Sequence, residues 1–298
     1  MGKEKTYSYI ALTLAMFLWS MSFVWSKLAF ETYNPFTVLF FRLSTATLTL
    51  FAFSKLFGVL QKVKKSDFKV LLFLSFFEPF LYFLGENFGL QLVSASTAAI
   101  IIATIPLFMP LLGFYFFNES VSRNNIIGII ISIVGVLFVI INKNFSLSGN
   151  PWGFALLFLA VFSALSYTVV LKRVSYKYNG FTIVSWQNLI ASIAFFPFFF
   201  ISDFKEFQTI GIFRTDFIYI LLLGILASNI AFLLYTHALK FFGVAKIGVF
   251  TNLIPIFTIL VSFFIFDEQL DFLKYIGIIL VLIGLFLSER KKPILNMF

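Results

Sequence analysis

Cysteine is absent from the 298 residues, and histidine occurs once, at His237. These two shortages exclude disulfide scaffolds, thiolate chemistry, Cys-ligated metals and any metal site built on several histidines. Charge is scarce as well. Asp, Glu, Lys and Arg make up 12% of the chain, against about 25% in an average soluble domain. No GxxxxGK[ST] phosphate loop, HExxH or GxSxG motif occurs. ATP hydrolysis, zinc-peptidase chemistry and serine-hydrolase chemistry therefore have no foothold. The expectation is a protein that is not an enzyme and needs no cofactor and no metal.

What fills the chain instead is apolar. Hydrophobic residues make up 60%, with 46 Phe among them, and the mean hydropathy is +1.00. A soluble globule cannot bury so many Phe behind so few charges. At about 20 residues per helical crossing, the apolar content fills roughly nine or ten membrane spans. The net charge of +9 would suggest nucleic acid in a soluble protein. In a membrane protein Lys and Arg orient the loops, so no nucleic-acid partner is expected. The expected partners are the lipid bilayer and a small-molecule substrate, with protons as a candidate coupling ion and a monomer or homodimer as the assembly.

Apolar runs broken by charge, Pro, Gly or Asn give ten candidate spans: 8–28, 35–57, 68–90, 94–117, 125–141, 151–171, 181–201, 216–239, 244–266 and 273–288. The fifth and tenth are short, which leaves nine as the alternative count. The interruptions leave no room for a soluble catalytic domain. Lys3 and Lys5 before an apolar run imitate a signal peptide, but the run is too long and lacks a small-x-small cleavage site, so it reads as an uncleaved first span. With the N-terminus inside, fifteen Lys and Arg fall in inside segments and five in outside ones. This bias places both termini in the cytoplasm, and short loops favour a multi-pass protein of the cell inner (cytoplasmic) membrane.

The chain repeats itself. Lys27, Tyr33, Asn34, Phe36 and Thr37 recur at an offset of 145 as Lys172, Tyr178, Asn179, Phe181 and Thr182. At an offset of 149, Pro106, Glu119, Gly128 and Gly135 recur as Pro255, Glu268, Gly277 and Gly284. The halves, 1–146 and 147–298, would each hold five spans. Five is odd, so the second half crosses the membrane upside down. The expected fold is an all-α polytopic membrane protein of ten transmembrane helices in two inverted-topology five-helix repeats, an architecture used by carriers and also by channels.

The segments WSMSFVWSKLA (19–29), NPF…FFR (34–42), ASTAAII…IPLF (95–108), NESVS (118–122) and GIIISIVGV (128–136), with IPIF (254–257) and DE (267–268) in the second half, resemble the EamA-type branch of the drug/metabolite transporter superfamily over almost the whole chain. The resemblance implies ten spans in two inverted repeats. It also implies a central cavity lined mainly by the first, third and fourth helices of each half, and export or exchange of metabolites, amino acids or drugs. The halves are not chemically equivalent, because Arg42 aligns with Gln187 and Trp19 with Ala164.

Candidate site residues follow from the cost of polar groups in lipid. Pro106 and Pro255, at matching places in the two halves, would bend their helices and free carbonyls toward a cavity. Glu78, Tyr82 and Glu86, spaced by four, would share one face of the third span, suited to binding protons or a cationic amine. Arg42 and Glu86 fall at similar depth, and their pairing would make an outer gate or a permanent bridge. Gln187 and Tyr235 are their inverted counterparts, with His237 near a helix end. Trp19 lies mid-span, either to stack on substrate or to pack. Asn229, Asn252 and Lys246 add polarity to the second half. Glu119 and Glu268 are read as helix caps, and Gly128, Ser132, Gly135, Gly277 and Gly284 as packing faces. The function expected is secondary transport by alternating access of small metabolites such as amino acids, as exporter or exchanger. The alternatives are a multidrug or cation exporter and a channel-like facilitator.

Overall fold

In a computed structural model the described residues, 2–117, 121–141, 149–242, 250–251, 253–267 and 271–289, are almost wholly helical. We label the helices α1 (Gly2–Ala29), α2 (Pro35–Leu56), α3 (68–92), α4 (Ala95–Ile102 and Ile105–Phe117), α5 (Arg123–Ile140), α6 (Pro151–Val174), α7 (180–210), α8 (217–242), α9 (Leu253–Phe266) and α10 (Phe272–Glu289). Seven helices, within α1, α2, α3, α5, α6, α7 and α8, are long and apolar enough to cross a bilayer. Three shorter apolar stretches, Ala95–Met109, Leu253–Phe266 and Phe272–Leu287, lie in α4, α9 and α10. Among the described residues, each apolar run of the sequence falls on a helix. The boundary expected near residue 146, together with Glu119, Lys246, Asn252 and Glu268, lies outside the described residues.

Local sequence explains where the helices begin. Asn150 and Asn179 accept backbone N–H bonds and start α6 and α7. Ser122 and Asn125 close a reciprocal capping box on α5. Pro35 and Pro151 occupy first helical positions, where the missing N–H costs nothing. The amphipathic face of a soluble helix is missing. Phe73, Ile201, Phe264 and Phe272 are exposed on the outside of the bundle, and such a surface suits hydrocarbon rather than water.

Three helices change pitch in mid-course. In α3 the stretch Phe76–Leu81 widens to π-type spacing, and Glu78 leaves the helix altogether at φ −142, ψ 122. Pro79, which follows it, cannot donate to the ladder. In α8 the stretch Leu223–Ala231 is wound as a π-helix, and α7 widens at Phe199–Asp203. A shift of 149 carries 76–81 onto 225–230, so the irregular turns of α3 and α8 stand at matching sequence positions.

The contacts come in exchanged pairs. α1 lies against α8 and α9, while α6 lies against α3 and α4; α2 crosses α7 and touches α8, while α7 touches α3; α4 meets α9. The most extensive contact joins α5 to α10. There a Cβ on Gly135 would stand 2.7 Å from the Gly277 carbonyl, and one on Gly277 would stand 2.6 Å from the Gly135 carbonyl. These glycines are the faces read from the sequence, and within the chain they serve backbone-to-backbone approach.

The loops are clasped in the same exchanged manner. At the start of α2, Tyr33 donates to the Gly211 carbonyl at 2.9 Å, Asn34 to Glu206 at 2.6 Å, and the Thr37 N–H to Asp203 at 2.8 Å. At the start of α7, Asn179 donates to Val59 at 2.7 Å, the Gln61 N–H to Thr182 at 2.8 Å, and Tyr178 to Asp67 at 2.9 Å. The N-terminus of α2 is thus held by the C-terminal end of α7 and the residue that follows it, and that of α7 by the segment after α2.

Candidate functional site

A cavity of about 140 Å³ opens where α1, α3, α4, α6, α8 and α9 meet, with Arg42 reaching in from α2. Of the residues singled out in the sequence, Trp19, Arg42, Glu78, Tyr82, Glu86, Pro106 and Tyr235 line it. Gln187 lines a small side pocket of about 10 Å³ that shares Glu78, Phe83 and Phe232 with the main cavity. Asn229 stands outside both. It donates to the Ala46 carbonyl and to Thr49, each at 2.9 Å, and accepts from Asn188 at 3.1 Å, tying α8 to α2 and α7. His237 is set edge-on to Tyr7, with ring centroids 5.4 Å apart, away from the cavity wall. Pro255 lies in α9 and is buried beside the lining residue Ile254.

Within the run 94–117, α4 turns at Ala103 and Thr104, and Pro106 is the second residue of the helix that follows. Its ring lacks the N–H that would have reached back to Ile102, the last residue of the preceding segment. A second interior break is at Glu78–Pro79. It removes Glu78 from the helical register that would have aligned it with Tyr82 and Glu86, yet all three still face one cavity. The signal for this break, Pro79, stands next to Glu78 in the sequence.

A broken helix leaves carbonyls without partners, and each must find a donor away from water. Ser163 of α6 donates to the Phe77 carbonyl at 2.6 Å, and Gln187 Nε2 of α7 donates to the Glu78 carbonyl at 2.8 Å. On the other side, Trp19 Nε1 of α1 donates to the Ala227 carbonyl at 3.3 Å inside the π-turn of α8. Arg42 Nε of α2 donates to Ser228 Oγ at 2.8 Å. Arg42 and Gln187 are counterparts under the 145 shift, and Glu78 and Ala227 are counterparts under the 149 shift. Trp19 also packs on Phe232 and Tyr235, with centroids 5.1 and 5.0 Å away, so it closes one wall and braces a helix at once.

Arg42 is 2% exposed. Its guanidinium lies over the Phe83 ring at 3.9 Å, a distance at which the ring face attracts a cation. Arg42 and Glu86 are not within ion-pair distance of one another; Glu86 instead accepts from the Tyr82 hydroxyl at 3.1 Å. The depth argument brought both residues to one cavity, but depth along a helix does not set azimuth. Ser228 and Phe83, neither of them singled out beforehand, occupy the guanidinium. Among the described residues no group of three His, Cys, Asp or Glu is placed to hold a metal ion.

The model of the EamA-like transporter family matches this chain twice, over residues 6–141 and 151–290. The uncharacterized transporter YetK of Bacillus subtilis is 27% identical over 297 residues, covering 97% of this chain and 89% of that one. An uncharacterized transporter of Archaeoglobus fulgidus is 27% identical over 284 residues, covering 95% and 99%. The WAT1-related protein At3g02690, chloroplastic, of Arabidopsis thaliana is 26% identical over 299 residues, covering 96% of this chain and 70% of that protein. One solved crystal structure superposes with a TM-score of 0.69 over 95% of this chain and 96% of the other at 14% identity, a likeness of fold. A helical bundle with a lipid-suited surface and two family matches across its length leaves a plain conclusion: the chain is a multi-pass membrane protein and belongs to the EamA-like transporter family.

Proposed function

We propose that this protein is a secondary carrier that moves small metabolites such as amino acids across the cytoplasmic membrane by alternating access, as an exporter or exchanger. In this reading α1–α10 all cross the bilayer, both termini are cytoplasmic, and residues 1–146 and 147–298 form two inverted five-helix repeats. The observation that carries the proposal is the exchanged set of contacts around one cavity. Helices α1 and α2 brace the irregular turn of α8, while α6 and α7 brace that of α3. A molecule built of two such halves has two related conformations in which the halves swap roles, which is what alternating access requires.

Cavity size supports a small cargo. The volume of about 140 Å³ is close to the about 150 Å³ that takes up benzene and below the about 300–1,000 Å³ of drug sites. That comparison disfavours multidrug export. Counterflow in proteoliposomes tests the carrier. An unlabelled substrate inside accelerates uptake of the labelled one from outside if the site is exposed to one side at a time. A substrate that crosses with no such acceleration refutes alternating access in favour of a channel-like pore. A pH gradient imposed alone tests protons as the coupling ion, by whether it drives accumulation.

A further inference from the structure

Arg42 carries a donor edge that the protein leaves free. Nε is committed to Ser228 at 2.8 Å and one face is committed to Phe83 at 3.9 Å. The two terminal nitrogens donate to no described protein atom, and Nη1 is fully buried without a partner. A buried, fixed guanidinium with its Nη1–Nη2 edge unused is shaped for one kind of ligand group, a carboxylate taken in by two parallel hydrogen bonds. Glu78 offers the opposite pole. Its backbone is held in extended form by Gln187, its side chain lines the same cavity, and its carboxylate has no hydrogen bond or ion pair among the described residues. Glu86, by contrast, is occupied by Tyr82.

We propose that this cavity is a zwitterion site, in which the Arg42 fork takes the carboxylate of the cargo, Glu78 takes its ammonium group, and Trp19 and Tyr235 cover an apolar side chain of about leucine size. Hydrogen bonding decides between ligand classes. A purely cationic amine leaves the Arg42 fork without an acceptor, and a simple carboxylate leaves Glu78 without a donor, whereas the Glu86 carboxylate already has the Tyr82 hydroxyl. A buried polar group without a partner is costly, and only a ligand carrying both an acceptor and a donor group satisfies both poles. The poles belong to the first half alone, because the counterparts of Arg42 and Glu78 are Gln187 and Ala227. The assignment rests on the carrier reading and names its cargo.

Ligand-induced thermal stabilisation of the purified full-length protein tests it, since a ligand of the native state raises stability by mass action. The probes are L-leucine, leucinamide, which lacks the carboxylate, and 4-methylpentanoate, which lacks the amine. Leucine is expected to stabilise the wild type most. Arg42→Gln weakens leucine by about 10- to 100-fold and leaves leucinamide unchanged. Glu78→Gln weakens leucine and strengthens 4-methylpentanoate. Arg42→Lys keeps the charge without the fork, is expected to fall between wild type and Arg42→Gln, and serves if Arg42→Gln does not yield monodisperse protein. Stabilisation by leucinamide equal to that by leucine, leucine binding indifferent to Arg42, or no effect of leucine at all overturns the assignment. Counterflow with another substrate in that event leaves the carrier reading standing. Leucine binding with the expected variant pattern but no counterflow sinks the carrier reading and keeps the site.

Discussion

Gly135 is where a single methyl group tests the architecture. An added Cβ meets the Gly277 carbonyl at 2.7 Å, the Val281 nitrogen at 2.8 Å and Val281 Cγ2 at 2.9 Å. Two of these three atoms are backbone and cannot swing aside. Reaching ordinary contact near 3.4 Å requires α5 and α10 to part by roughly 0.7 Å, and a gap of about 0.5–1 Å already forfeits a quarter to a half of each dispersion contact. Within lipid no hydrophobic term compensates, because the tails are as apolar as the side chains they would touch. Overpacking costs about 1–3 kcal/mol, and the better helix propensity of Ala over Gly returns about 1 kcal/mol. The balance is a loss of about 0–2 kcal/mol, and the two backbone atoms in the way put Gly135→Ala at the upper end of it, a fall of several degrees in the thermal midpoint at about 2–4 °C per kcal/mol. Detergent-solubilised protein followed by fluorescence size exclusion after heating gives the midpoint. Ile130→Ala, at an exposed position on the same helix, is the control and should move it little. Val281→Ala should fail to rescue Gly135→Ala, since the carbonyl remains in the way. An unchanged or raised midpoint for Gly135→Ala, or full rescue by Val281→Ala, refutes the backbone-contact reasoning.

Two further outcomes are expected. Asp203 is buried and accepts from the Thr37 N–H at 2.8 Å and the Thr37 hydroxyl at 3.2 Å, so it caps α2 from a distant helix; Asp203→Ala lowers stability by about 0.5–2 kcal/mol, measured by the same melting assay, and Asp203→Asn retains part of it. The cysteine-free chain allows single-cysteine mapping without background: Glu31→Cys and Tyr176→Cys, before α2 and α7, react with a membrane-impermeant maleimide from opposite sides of the membrane, and labelling from the same side sinks the inverted topology.

The helices were readable because lipid demands long apolar runs, and those runs are what the chain is made of. The site was readable only where polarity itself was the signal. Arg42, Glu78, Tyr82 and Glu86 stood out because burying them is expensive, and all four face the cavity. Their partners were not readable. Ser228 and Phe83 are ordinary residues in a membrane helix, and their roles follow from how α8 and α3 are rotated rather than from their own chemistry. The stretch LGILASNIA contains no proline, so nothing in it announces a π-turn. Trp19 and Arg42, which hydrogen-bond to that turn, meet it from the other end of the chain. Asp203 was missed for a related reason, since it caps a helix through Thr37, 166 residues earlier. Pro79 is the exception: its signal was local, and the regular spacing of Glu78, Tyr82 and Glu86 concealed it.

The exchanged contacts also bear on how the molecule is made. The largest surfaces of α1, α2, α3 and α5 are spoken for by α6 to α10, all of which are synthesised later. Until those helices emerge, the glycine seam of α5, the start of α2 and the broken turn of α3 lack the partners that hold them here. A chain cut after α5 therefore has no way to close these contacts within itself.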